Sequence, residues 1–189
     1  MKKVIVFCGI LAAVVLAAGG LEAQENAALG VMLNHYAARN FAAGEVGRAD
    51  LERVIQAGIR SPSASNRQPW RFTVVRTQSL ARRIVPNIAE GNVLIVISAQ
   101  GDGRTNGREI LDCGLAAESM YLAAQALGLG SRIYTGPIDA VNSQLKAELG
   151  LPQGHSAVVL VRVGRLASQA DAASAASPRR AADETVVYK

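Results

Sequence analysis

Apolar and polar positions alternate along the chain in a way that separates it into a small number of elements. Residues 4–18 form a nearly unbroken apolar run. From Gln24 to Phe41 an Ala-rich helix is expected, with Leu29, Met32, Leu33 and Tyr36 spaced to share one face. After a turn at Gly44–Gly47, a second helix over Asp50–Ile59 places Leu51, Val54, Ile55 and Ile59 on its buried side. Phe72–Arg76 reads as a strand, and Gln78–Val85 as a short basic helix with Arg82 and Arg83 in solvent. Val93–Ala99 is an uninterrupted apolar stretch of strand length, which implies cover on both faces. Ile110–Leu127 is the longest helix and apolar nearly all round, so it is expected to be buried on every side. Its Gly114, Ala116, Ala117, Ser119, Ala123 and Ala124 would let a neighbouring backbone come close. A strand over Ser131–Tyr134, a helix over Ile138–Leu149 and a strand over Ala157–Val163 complete an α+β pattern. Ala167–Pro178 is a low-complexity arm without core-forming residues, and the strand-like Thr185–Tyr188 follows it.

Between the second helix and the first strand lies Ser61–Phe72, which holds two prolines, three serines, an asparagine, a glutamine and the only tryptophan. Pro62 and Pro69 bias the residues before them away from helical dihedrals, so the helix should stop at Ser61 and the strand start after Pro69. An irregular loop so rich in hydrogen-bonding groups, held by scaffold elements on both sides, is where ligands are commonly met. A plain turn with Trp70 plugging the core is the other reading of the same residues.

Pro62-Ser63-Ala64-Ser65-Asn66-Arg67-Gln68-Pro69-Trp70 resembles the Pro-Ser-x-x-Asn-x-Gln-Pro-Trp signature of the FMN-dependent nitroreductase family. The resemblance implies a nitroreductase-like fold: a central, mostly antiparallel sheet flanked by helices, a long buried central helix, and a two-fold homodimer with C-terminal strand exchange. It makes FMN the cofactor, with Ser63, Ser65 and Asn66 contacting the ribityl chain or ring edge and Gln68 close by. The family's N-terminal helix ends in Arg-x-Ser-x-Arg/Lys-x-Phe, where this chain reads His35-Tyr36-Ala37-Ala38-Arg39-Asn40-Phe41. Arg39 would then reach the pyrimidine edge of the ring, and His35 with Arg180 would serve the phosphate. His35 replaces an arginine and Ala37 a serine, so the phosphate site has lost one permanent charge and one hydroxyl. Ala123-Ala124-Gln125-Ala126-Leu127-Gly128-Leu129-Gly130 matches the ending of the family's dimer helix, and Thr135 and Gly136 match a turn near the flavin's reactive edge. The implied reaction is ping-pong: reduction by an NAD(P)H-type donor, then two-electron transfer to a nitroaromatic, quinone or similar small-molecule acceptor. The alternative is a non-catalytic flavin-binding or scaffold protein of the cell envelope that keeps the fold. The interval from Phe72 to Ile110 is short for the family, which implies fewer helices over the site.

Composition adjusts this picture in three places. Lys2 and Lys3 before the apolar run, and small residues up to Ala23, read as a signal peptide over residues 1–23, with a permanent anchor as runner-up because the run is short of the ~20 residues a spanning helix needs. The folded domain is then 24–166, with 167–189 as arm and C-terminal strand, and the protein is expected in the periplasm or secreted, free of the membrane once the leader is removed. Cys8 leaves with that leader, so Cys113 has no partner for an internal disulfide and should be a small buried apolar residue. The net charge of +5 is scattered without a basic, aromatic-bearing stripe, which argues against nucleic acid as a partner. No Ser/His/Asp set, carboxylate pair or metal-ligand spacing appears, as expected if a cofactor carries the chemistry.

Overall fold

The computed structural model describes residues 27–34, 36–103, 107–168 and 179–189. The chain divides into two compact units, Met1–His35 and Tyr36–Lys189. In the first, residues 27–34 are helical (α1), and Leu29, Met32 and Leu33 are exposed. The expected signal peptide and His35 lie outside the described residues.

The second unit is built on a five-stranded sheet. Its strands are β1 (Phe41–Ala42), β2 (Arg71–Val75), β3 (Val93–Gln100), β4 (Gly130–Tyr134) and β5 (His155–Leu166). All neighbours run antiparallel: β2 pairs β3, β3 pairs β5, and the other edge of β5 carries β4 along Leu160–Gly164 and β1 at Arg165–Leu166. The two central strands are buried on both faces, as their continuous apolar runs require. One face carries α2 (Arg48–Ile59) and α4 (Gly107–Ala126), whose Leu51, Val54, Ala116 and Met120 pack on Ile95, Ile97, Val159 and Val161. The other face carries α3 (Gln78–Ile84) and the segment α5 (Ile138–Ala140), which continues as a wider turn over Val141–Leu145. A short helix, α6 (Ala182–Thr185), precedes the C-terminus.

Three expectations are corrected. Residues 36–40 are not helical. Ala38 N–H donates to Ser131 C=O, and Phe41 pairs with Leu166, so the edge of the sheet captures a segment whose alanines favour helix. The expected 138–149 helix is present over Ile138–Leu145 but irregular: Ile138–Ala140 is α-helical, Val141–Leu145 widens to a π-helix, and the residues after it are turns. Within the wide turn the Asn142 carboxamide both donates to and accepts from the backbone of Ala157 and ties the segment to β5. Helix α4 is not buried all round within one chain: Leu111 is 61% exposed, and Gly114 and Glu118 stand open on the same side.

Candidate functional site

The loop between α2 and β2 is held in an unusual backbone form. Ser65, Asn66 and Gln68 have φ of 53°, 54° and 48°, the left-handed region. Asparagine tolerates this; serine and glutamine do so at a cost of order 1–3 kcal/mol each, and such residues cluster where ligands are clamped. Ser63 is the hinge: its C=O accepts from Asn66 N–H at 2.9 Å and its Oγ from Gln68 N–H at 3.0 Å. Gln68 Nε2 donates to Asn66 Oδ1 at 3.1 Å, which fixes both carboxamides. The side chains of Ser65 to Gln68 are exposed, whereas Trp70 is buried and stacked on Phe72 with centroids 6.2 Å apart. Both readings of the loop are therefore realised in different residues: Trp70 plugs the core and the polar groups before it face out.

Helix α4 is the base on which this loop rests. Ala64 N–H donates to Asp112 Oδ1 at 3.0 Å, Ser61 Oγ meets Ser119 Oγ at 2.7 Å, and Arg67 pairs with Glu109 at 3.3 Å. Asp112 and Glu109 had no place in the pattern reading, and Ser119 figured there only as a small residue, although each interrupts an otherwise apolar helix. Burial first, then the negative charges of Asp112 and Glu109, push the neighbouring Cys113 thiol up to about 12, and Cys113 is fully buried.

The other candidates border β4. Arg39 is exposed, next to Ala38, which is bonded to Ser131 near the start of that strand. Thr135 and Gly136 are exposed just past its end, roughly 13 Å along the strand from Ser131. Thr135 lines a cleft of about 370 Å³ with Gly103, Ile110, Ile138, Asp139 and Val158, within the size range of small-molecule sites. Ile110 belongs to the same turns of α4 that dock the loop, so the cleft and the loop share that support. Arg180 is exposed, and the guanidinium of Arg179 before it stands 5.7 Å over the Tyr36 ring, so the C-terminal segment returns to the stretch that precedes Arg39. Among the described residues, no group of His, Cys, Asp and Glu could hold a metal ion. His155 belongs to no such group among the described residues, and burial and then Arg71 lower its pKa.

The family model described as the Nitroreductase family matches residues 32–100 and 81–165. The chain belongs to the nitroreductase family. A protein of Archaeoglobus fulgidus assigned as a NADH dehydrogenase/NAD(P)H nitroreductase is 29% identical over 130 residues, covering 64% of this chain and 74% of its own. A similarly assigned protein of Methanothermobacter thermautotrophicus is 28% identical over 105 residues, and there the match spans 54% of the relative's length. Among solved structures, a nitroreductase with bound FMN from Desulfitobacterium hafniense superposes with a TM-score of 0.70 at 23% identity, covering 87% of this chain and 98% of its own. The oxidoreductase YcnD of Bacillus subtilis reaches 0.75 at 19% identity, covering 85% and 73%. The fold is the nitroreductase fold.

Proposed function

We propose that this nitroreductase is an FMN-dependent oxidoreductase that passes two electrons, in ping-pong order, from an NAD(P)H-type donor to a nitroaromatic, quinone or similar acceptor. The observation that carries the reading is the Ser63–Gln68 loop, whose left-handed residues turn hydroxyl and carboxamide groups outward. That donor set suits a ribityl chain and a ring edge, so the residues present fit the cofactor. When bound, FMN supplies the electron transfer itself, and the protein holds it and sets its potential. Ser63, Ser65, Asn66 and Gln68 would hold it by hydrogen bonds. Arg39 would favour negative charge at the pyrimidine edge, and Thr135 and Gly136 would border its reactive side. Arg180 supplies a guanidinium for the phosphate.

We infer that the site lies between two copies of the chain. The open side of α4 at Leu111 and Gly114, and the exposed Val186, Val187 and Tyr188, are the surfaces a two-fold partner with exchanged C-terminal segments would cover. Residues 1–23 are assigned as an export signal, which puts the enzyme outside the cytoplasm and calls for a donor found there. The second reading, a flavin-binding module without turnover, is favoured by Ala37, which offers no hydroxyl where the family has a serine.

One visible absorption spectrum of the purified protein decides first. A yellow protein that bleaches with NAD(P)H and recovers its colour with a quinone or nitroaromatic supports the enzyme. Colour without turnover supports the binding module, and protein that stays colourless with added FMN refutes both. Light scattering then tests the dimer.

A further inference from the structure

We propose that Asp112 is a positioning residue for the cradle: its carboxylate, through the Ala64 N–H, holds Ser65, Asn66 and Gln68 in the left-handed backbone form that presents the ligand groups. The ligand in this inference rests on the flavin reading above; the geometry does not. Among the described residues, the Ala64–Asp112 bond is the only hydrogen bond from another element to the backbone of Ser63–Gln68. It falls on the residue directly before Ser65, where the left-handed run begins. The ties at Ser61 and Arg67 fasten the loop through side chains and leave that backbone to its own internal bonds.

Asp112 is 1% exposed, and its Oδ2 is buried without a hydrogen-bond partner among the described residues. A carboxylate buried with a single bond is unfavourable compared with the alanines that fill other inward positions of α4, such as Ala116 and Ala117. An aliphatic side chain would occupy the same space without that penalty. What the acid adds is the bond to Ala64, made from a 20-residue helix that is a rigid base for a strained loop.

The test compares full-length wild type, Asp112→Ala and Asp112→Asn by amide hydrogen exchange without flavin and by FMN titration. In Asp112→Ala, exchange across Ala64–Gln68 should quicken about ten-fold while Ala116–Ala124 keeps its protection, as for a local opening. Its Kd for FMN should rise about ten-fold, equivalent to ~1.4 kcal/mol, with the bound flavin's visible band moved toward that of free FMN. Asp112→Asn keeps an acceptor oxygen and should restore both readings. Wild-type exchange across the loop in Asp112→Ala overturns the proposal, as does an Asp112→Asn that behaves like the alanine variant with α4 intact. If wild type binds no FMN, the flavin reading falls, and the exchange data still decide the role of Asp112. If Asp112→Ala does not fold, Asp112→Leu takes its place with the same expected readings.

Discussion

Replacing Asn92 with alanine should cost a large fraction of the ~5–15 kcal/mol of stability that a domain typically possesses, and the reason lies in a buried arginine. Arg162, in β5, is 3% exposed, and among the described residues no carboxylate pairs with it. Its Nε and one terminal nitrogen both donate to Asn92 Oδ1, at 3.0 and 2.8 Å, and its guanidinium lies 3.8 Å over the Phe41 ring. Burial pulls its pKa down, while Tyr134 acts in the opposite sense. Asn92 is fully buried and also donates to Ala42 C=O at 3.0 Å, so it joins β1 to the cation. Hydrogen bonds to charged groups contribute ~1.5–3 kcal/mol, and a carbonyl left unsatisfied costs ~1–3 kcal/mol. Asn92→Ala should therefore destabilise by about 3–5 kcal/mol, the range for leaving a buried charge without its partner. Arg162→Met removes the charge itself and keeps a long side chain over Phe41, so the double variant should lose less than the two single losses combined, by ~2 kcal/mol. Urea unfolding of the four proteins, with equal m-values as the check on two-state behaviour, measures this. A loss below ~1 kcal/mol for Asn92→Ala, or strict additivity, would show that the arginine draws its compensation elsewhere.

Arg39→Ala should weaken FMN retention about ten-fold if its cation faces the ring, the loss of one charge-assisted contact; equilibrium dialysis reads this, and unchanged retention removes Arg39 from the site. Gly91→Ala should fail for reasons of backbone: Gly91 has φ +79°, and an added Cβ would lie 2.5 Å from the Gly44 carbonyl carbon. Left-handed strain and overpacking together should cost ~2–5 kcal/mol, seen as a fall in thermal midpoint; a midpoint equal to wild type contradicts it. In a Cys8→Ser background, Cys113 should resist Ellman's reagent until the protein is denatured. Burial, and then the charges of Asp112 and Glu109, push the folded thiol up to about 12 from an ordinary 9.0. Because the folded form then holds its proton longer, stability should fall as pH rises from about 9 toward 12 more steeply than in a Cys113→Ser variant, and parallel slopes would refute the shift.

Much of the fold was legible because its sheet is covered on both sides. Runs such as Val93–Ala99 have few other uses, and β3 follows that run to within one residue at Gln100. The misreadings fall where a contact distant in sequence decides a local choice. Nothing in Tyr36–Phe41 announces that Ser131 and Leu166 will take its backbone groups, and nothing in Ile138–Leu149 announces that Asn142 will bind both polar groups of Ala157. Thr185–Tyr188 reads as a strand by residue type, yet Thr185 ends α6 and the residues after it are exposed and pair with no strand among the described residues.

The site was legible from its polar loop and opaque in its foundations, and α4 explains both. Summed as a pattern, that helix is apolar all round. Resolved by position, it has three duties. Ala116, Ala117, Met120 and Ala124 fill the core against the sheet. Glu109, Asp112 and Ser119 lie at spacings of one and three turns, so they share the side that docks the loop. Leu111, Gly114 and Glu118 form a third side that one chain leaves open. A helix that serves a core, a loop and an open surface at once has apolar or small residues in nearly every direction, and its few acids look like exceptions in a sequence. In the fold those acids are the points where the scaffold grips the loop, so the geometry of the candidate site depends on the residues that the periodicity gave least reason to notice.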